Sequence, residues 1–213
     1  VIKLQPDEPN GPLGASSMLL LLNRPDDARA HAELAIASAP SQAHQALALI
    51  AVSRQRDDEA LRQADLAAAA EPGLPMPDFI RGTLAYNHQQ YERALGFLLQ
   101  AQKGSAGRSA QPRDLHFMIG DSLARLERYK EAEPYLEEEI RLYPQHVRAR
   151  AGLAMLYQSM GRNAEAERVL DDLVRDVPSP DAADTAARVW RMFGRPDRAD
   201  SVADEARRRL RER

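Results

Sequence analysis

One alanine returns six times along the chain in the same local setting, and this spacing limits the possible folds more than any other feature. Each alanine follows a basic or polar turn and one or two acidic residues. The successive spacings are 32, 34, 38, 34 and 33 residues, between Ala28, Ala60, Ala94, Ala132, Ala166 and Ala199. A period of this length is typical of chains built from stacked copies of one supersecondary unit.

A second small residue lies 12 positions before each of these alanines, namely Ser16, Ala48, Gly82, Gly120, Ala154 and Ala187. Small residues on two facing helices allow their backbones to approach closely, which suits a chain with 36 alanines and only one Trp, four Phe and six Tyr. Apolar residues between the two positions recur at helical spacing, as in Leu115, Ile119 and Leu123. No segment has the alternation of a strand bounded by turns. The pattern therefore predicts an all-α fold of antiparallel helix hairpins.

The same positions predict where the helices begin and end. Acidic residues follow each turn, where they complement the exposed N–H groups of a helix start. Pro40, Pro72, Pro144 and Pro178 each lie 12 residues after an alanine and are expected to close a unit. The predicted helix pairs are 10–22 with 25–38, 42–54 with 57–70, 76–88 with 91–103, 113–126 with 129–142, 146–160 with 163–176, and 180–193 with 196–211. The segment 103–112 is expected to be a flexible loop, and the polar helix after Pro196 to close the array.

These residues resemble the tetratricopeptide repeat family. The resemblance rests on the 34-residue period, the paired small residues, the closing prolines, Tyr91 and Tyr129 at the aromatic turn position, and Gly161 at the glycine. It implies a right-handed α-solenoid of about six repeats in a single domain over residues 10–213, after an N-terminal extension over residues 1–9. The implied repeats are about 10–40, 41–72, 76–106, 113–144, 145–178 and 179–213.

The residue patterns of catalytic and metal sites are missing from the sequence. Without cysteine there is no thiolate ligand or cysteine nucleophile. The five histidines have no i, i+4 pair, no H-E-x-x-H or G-x-S-x-G motif occurs, and Gly104 to Gly107 lacks the G-K-[ST] of a phosphate loop. The acidic run 137–139 is interpreted as a solvated stripe. We therefore expect neither an enzyme nor a bound cofactor or metal ion.

The charge and hydropathy of the chain also restrict its partners. The formal net charge of -3 gives no general attraction to polyanions, and acidic neighbours weaken the case for the C-terminal arginines as a nucleic-acid site. The longest apolar run, Met18 to Leu22, is too short to cross a bilayer. We expect a soluble protein of the cytoplasm or periplasm. The start at Val1 suggests that a targeting segment has been removed or that the chain is a piece of a longer protein.

The family resemblance implies a concave groove, lined by the first helix of each pair, that holds extended peptides or helices of partner proteins. The expected groove residues are Phe79, Thr83, Tyr86, Asn87, Phe117, Asp121, Arg125, Arg148, Met155, Gln158, Arg188 and Arg191. The middle of this set is aromatic and its C-terminal end is basic, so a partner with an apolar anchor and acidic residues would fit. Alternatively, Phe79, Phe117 and Met155 complete the packing between repeats.

Two functions remain open from the sequence. The first is a non-catalytic protein interaction scaffold that binds a peptide or partner protein in this groove. The second is an accessory module of a larger bacterial enzyme or of a secretion or assembly complex, in which the repeats recruit substrate or link domains.

Overall fold

A computed structural model describes residues 10–107 and 111–211, and all regular elements in these residues are helices. The predicted extension over residues 1–9 lies outside the described residues, as does part of the loop predicted over residues 103–112. The helices are α1 (Asn10–Leu21), α2 (Pro25–Leu34), α3 (Pro40–Ser53), α4 (Asp57–Ala70), α5 (Pro75–Asn87), α6 (Tyr91–Ser105), α7 (Leu115–Arg125), α8 (Tyr129–Leu142), α9 (Val147–Ser159), α10 (Asn163–Asp176), α11 (Pro180–Met192) and α12 (Pro196–Arg211). The predicted all-α fold of helix hairpins is confirmed.

The chain divides into two compact units, Val1–Leu115 and His116–Arg213, called unit 1 and unit 2 below. In unit 1, α1, α3 and α5 each pack against the second helix of their own pair, and α3 and α5 also pack against the first helix of the preceding pair. In unit 2, α9 packs in the same way on both α10 and α11, and α11 packs on α12. Within each unit the first helices therefore lie side by side.

The repeated alanines are the closest points of these hairpins. All six, from Ala28 to Ala199, have no exposed surface. Opposite them, Gly82 and Gly120 are buried on the first helices α5 and α7. A Cβ atom on Gly82 would lie 2.7 Å from Leu98, and one on Gly120 would lie 2.8 Å from Cγ of Leu136. At these two positions the helices are therefore so close that only glycine fits.

The turn inside each hairpin has one conformation that also follows the repeat. The residue five positions before each alanine has a positive φ, at Asn23, Gln55, Gln89, Glu127, Gly161 and Gly194. The next residue donates its backbone N–H to a carbonyl five residues earlier, for example Arg128 to Leu123 at 2.9 Å. This is the six-to-one hydrogen bond of a Schellman motif, which satisfies a carbonyl at the end of the first helix. The second helix then begins directly.

Arginines at these turns connect the second helices to each other. Arg162 pairs with Glu165 in its own helix at 2.5 Å and with Glu133 of the preceding repeat at 2.7 Å. Arg195 repeats the arrangement with Asp197 at 3.3 Å and Glu167 at 3.1 Å. The acidic residues expected at the start of the second helices therefore also bind the turn arginines.

Several predicted helix boundaries were wrong by a few residues. Helix α2 ends at Leu34 instead of residue 38, and Pro40 is the first residue of α3 instead of the end of the first unit. A proline suits that place because the first N–H of a helix needs no partner within the helix. Helix α6 continues to Ser105, two residues past its predicted end at residue 103. The other three closing prolines do lie outside helices.

The described residues contain no helix that is both long and apolar enough to span a bilayer.

Candidate functional site

The predicted groove residues lie on the first helices of both units, and each unit presents its own set. Unit 1 carries four of them on α5, and unit 2 carries eight on α7, α9 and α11. Their exposure differs widely, because some of these side chains also fill the space between adjacent helices.

In unit 1 the accessible part of the set is at the C-terminal end of α5. The ring of Phe79 is buried, with 8% of the residue exposed, and the hydroxyl of Thr83 donates to the Phe79 carbonyl at 2.9 Å. Tyr86 is half-buried and meets the ring of Tyr91 edge-on, with the ring centroids 5.8 Å apart. Asn87 is exposed. We call Thr83, Tyr86 and Asn87 the unit 1 surface.

In unit 2 the ring of Phe117 lies beneath other side chains. Only 4% of the residue is exposed. The guanidinium carbon of Arg148 lies 4.5 Å from the ring centroid, which is the geometry of a cation–π contact. The imidazole of His146 lies against the same ring, with the centroids 5.3 Å apart. Phe117 therefore supports Arg148 and offers little surface of its own.

The other groove residues of unit 2 form a mixed surface. Asp121 is buried and its carboxylate accepts from Nε of Arg125 at 3.3 Å, while Arg125 is exposed. Met155 is half-buried against the cluster that contains Trp190, and Gln158 is half-buried. Arg188 and Arg191 are exposed on α11. We call Arg148, Met155, Gln158, Arg188 and Arg191 the unit 2 surface.

The charges on this surface are unevenly neutralised. Arg191 contacts the exposed carboxylate of Asp200 at 3.4 Å, a pair that contributes little free energy in water. Among the described residues, Arg148 and Arg188 form no ion pair. Asp181 and Asp184 are exposed near the start of α11, so this helix is acidic at its beginning and basic at its end.

The interpretation of the acidic run 137–139 as a solvated stripe is wrong for one of its three residues. Glu139 on α8 has no exposed surface. Its Oε2 accepts the backbone N–H of Phe117 at 3.2 Å, whereas Glu138 pairs with Arg141 at 2.6 Å. Ala132, Leu136 and Glu139 share one face at i, i+4 and i+7, so the helical period could have identified the burial.

His116 is a buried neighbour of this carboxylate. It is 7% exposed and stacks on Tyr135 with the centroids 6.2 Å apart. Burial lowers the pKa of His116 from its ordinary value, and the negative charges of Glu139 and Glu138 oppose that change. His116 therefore packs against α8.

These features define the class of the protein as a repeat of helical hairpins whose first helices carry the candidate binding residues. The family model described as tetratricopeptide repeat matches residues 123–189. The predicted resemblance to that family is confirmed, and the helices of the described residues fit about six repeats. No curated protein matches the sequence.

Solved structures with similar folds cover most of the chain. PilF of Pseudomonas aeruginosa is 18% identical with a TM-score of 0.71, and the match covers 94% of this chain and 90% of that chain. PilW, a type IV pilus biogenesis factor, is 17% identical with a TM-score of 0.72, covering 92% and 91%. YrrB, described as having an unusual peptide-binding site, is 21% identical with a TM-score of 0.59, covering 82% and 90%. At these identities the similarity concerns the fold.

Proposed function

We propose that this chain is a non-catalytic interaction scaffold that binds a peptide or a partner protein on its first helices. The observation that carries the proposal is the unit 2 surface, where Arg148 and Arg188 are exposed without an ion pair in the described residues. A carboxylate of a partner can pair with each guanidinium in a bidentate manner. The YrrB fold, whose description names a peptide-binding site, supports a peptide as the ligand.

The apolar part of the proposed ligand binds between the arginines. Arg148 and Met155 are seven residues apart on α9 and therefore lie on one face, about 10 Å apart along the helix axis. Methionine adapts its shape to varied apolar side chains. The proposed ligand is a segment with an apolar side chain near Met155 and acidic side chains on either side. For a short segment we expect micromolar affinity, about -8 kcal/mol.

The experiment is affinity capture from the native lysate with a quantitative mass-spectrometric readout, comparing the wild-type chain with the double variant Arg148→Ala, Arg188→Ala. We expect the double variant to lose the captured partner, because both proposed carboxylate contacts are removed. The matched control is Arg168→Ala on the second helix α10, which is also exposed. Equal recovery by the wild type and the double variant would contradict the assignment of the unit 2 surface.

The unit 1 surface is tested separately with Tyr86→Ala, Asn87→Ala. Its control is Leu99→Ala, Gln100→Ala, which changes exposed residues of the second helix α6. If the partner also binds unit 1, we expect less partner to be recovered with Tyr86→Ala, Asn87→Ala and an unchanged amount with the control. Unchanged partner recovery would count against these residues.

A second candidate function is a module that helps assemble a larger complex. The fold similarity to PilW favours this function, because it extends over nearly the whole of both chains and the description of PilW names pilus biogenesis. The same capture experiment separates the two: recovery of several subunits of one secretion or pilus complex supports the assembly module, and recovery of one soluble partner supports the scaffold.

A further inference from the structure

The first helix of the chain exposes an apolar position that every later repeat buries. This position lies ten residues before the repeated alanine, and in the first repeat it is Met18, which is 58% exposed. In the later repeats the residue at this position is at most 6% exposed, at Ile50, Leu84, Ser122, Leu156 and Val189. The exposure of Met18 is therefore due to its place in the first repeat.

The later repeats of unit 1 show what covers this position inside the array. Ile50 on α3 belongs to the same apolar cluster as Ala28 and Ala32 on α2. Leu84 on α5 likewise belongs to a cluster with Ala60 on α4. The second helix of the preceding repeat thus covers the position, and no helix precedes α1 in the described residues.

Met18 is part of an uncharged stripe along α1. The stripe consists of Gly14, Ser17, Met18, Leu21 and Leu22, which recur at helical spacing and are all exposed. Leu21 is 76% exposed and Leu22 is 62% exposed. A contiguous group of large exposed apolar side chains marks an interaction site. All residues of α1 are uncharged, so two such stripes can meet without repulsion between charges. We call these five residues the α1 stripe.

The sizes of these residues favour a second copy of the same helix as the occupant. Small residues, Gly14 and Ser17, form the first half of the stripe, and large residues form the second half. In an antiparallel pair with a twofold axis between Ser17 and Met18, each Leu21 lies opposite Gly14 of the second copy. Each Met18 then lies opposite Ser17 of the second copy. The large side chains of each copy therefore fill the space that the small ones leave in the other.

We propose that the α1 stripe is the interface of a twofold-symmetric homodimer in which two copies of α1 pack antiparallel. A contact of this kind uses the same residues on both copies and closes after two chains. Head-to-tail stacking would instead pair the stripe with the last helix, α12, in which nine of 16 residues are charged. The stripe shares no residue with the unit 1 surface or the unit 2 surface, so the dimer does not depend on the proposed function.

The size of the stripe determines how strong the dimer is. A helix of the length of α1 is about 18 Å long, and one face of it is smaller than the roughly 800 Å² per copy of a standard interface. We therefore expect a dissociation constant in the micromolar range.

The first test is the oligomeric state of the full chain, measured by sedimentation equilibrium from about 1 μM to about 300 μM, a range that brackets micromolar dissociation constants. We expect a concentration-dependent equilibrium between monomer and dimer. A chain that stays monomeric would overturn the proposal and would point to residues 1–9 as the cover of the stripe. Oligomers that grow beyond the dimer would also overturn it, because they indicate a head-to-tail contact.

The second test compares Gly14→Gln with Gly96→Gln, a control at an exposed glycine of the second helix α6. A Cβ atom at either position has no neighbour within 4 Å, so both glycines can be replaced in the monomer. We expect Gly14→Gln to weaken the dimer at least about tenfold, because its side chain overlaps Leu21 of the second copy. The control should dimerise like the wild type. Circular dichroism verifies folding, and equal dimerisation of the two variants would contradict the antiparallel contact.

The third test places charges beside the twofold axis with Met18→Glu and Met18→Lys. Each variant alone brings like charges together and should be monomeric, whereas an equimolar mixture of the two pairs opposite charges and should recover the dimer. The controls are Leu66→Glu and Leu66→Lys, at a residue of α4 that is 47% exposed, and each should stay dimeric by itself. A dimer of either Met18 variant alone, or a mixture that stays monomeric, would overturn the twofold contact at this stripe.

Discussion

At the scale of single residues, the packing of the hairpins depends on positions where one methyl group is too many. Gly120 faces Leu136, which is itself fully buried. Gly152, also in unit 2, has its nearest neighbours at 3.7 Å, an ordinary contact distance. These two glycines therefore make a matched pair for testing how closely α7 and α8 approach.

We predict that Gly120→Ala destabilises unit 2 by about 1–3 kcal/mol, because the added methyl overpacks a rigid contact. Gly152→Ala should be neutral or slightly stabilising, since alanine is a better helix former and has room. Trp190 is the only tryptophan and is fully buried in unit 2, so its fluorescence during urea unfolding reports on both variants. Equal stabilities of the two variants would show that α7 and α8 are farther apart at Gly120 than the structure has them.

Burial of His116 predicts how the stability of unit 2 changes with pH. Its pKa is lowered in the folded state, so the unfolded chain takes up the proton first as the pH falls below the ordinary value of 6.5. The stabilisation from the neutral ring is therefore present above that value and is lost as the pH falls towards the lowered pKa. His116→Asn should flatten this dependence between about pH 7.5 and about pH 5.5, as measured by urea unfolding. A variant with the wild-type slope would exclude His116 as the cause.

At the scale of the helical elements, the turn conformation is shared by all hairpins although the residue type is not. The position with positive φ is glycine only at Gly161 and Gly194, and the other four hairpins place Asn, Gln or Glu there. For residues with a side chain, the left-handed backbone conformation is higher in free energy than it is for glycine. The Schellman hydrogen bond and the packing of the hairpin also impose the conformation on Gln55, Gln89 and Glu127, whose residue types do not favour it.

We therefore predict that Glu127→Gly stabilises unit 2 and that Gly161→Ala destabilises it, each by about 1 kcal/mol. Both residues are exposed, so the change in backbone conformational energy is the dominant effect. Urea unfolding followed by Trp190 fluorescence measures both. Destabilisation by Glu127→Gly would mean that the glutamate side chain makes a stabilising contact that outweighs the backbone cost.

At the scale of the whole molecule, the repeats are joined by both apolar packing and ion pairs. In unit 2, Arg162 and Arg195 each pair with a glutamate of the preceding repeat, and Arg162 also lies 4.1 Å from the ring centroid of Tyr157. Burial and the neighbouring carboxylates Glu137 and Glu133 raise the pKa of Tyr157, so its ring stays neutral. Because the same contact occurs twice in unit 2, the two electrostatic contributions add.

We predict that the stability of unit 2 decreases as NaCl is raised from about 0.05 M to about 0.5 M, since salt screens exposed pairs. In Arg162→Met the side-chain stem can still pack on Tyr157 but the charge is gone, and the salt dependence should be smaller than in the wild type. Urea midpoints at each salt concentration measure the effect. Identical salt dependence in both proteins would show that the pairs between repeats contribute nothing measurable.

Much of this architecture could be predicted because the same requirement, close packing of two helices at small residues, occurs six times along the chain. The spacing of Ala28 and its equivalents indicated the hairpins, and helix boundaries were correct to a few residues. The error at Pro40 arose because a proline is compatible both with the end of one helix and with the first turn of the next. Sequence spacing alone does not distinguish these two positions.

The sequence by itself determined the class of fold and the faces of the helices, since periodicity and residue size depend only on local order along the chain. Only the tertiary structure decided which first-helix residues are accessible, because Phe79 and Phe117 have their exposure set by neighbouring helices. The same is true of Glu139, which lies in an acidic run yet is buried against Phe117, a residue 22 positions away. The helical period places Glu139 on the buried face of Ala132 and Leu136, but the group that binds its carboxylate comes from a distant segment, and the local sequence does not indicate which group that is.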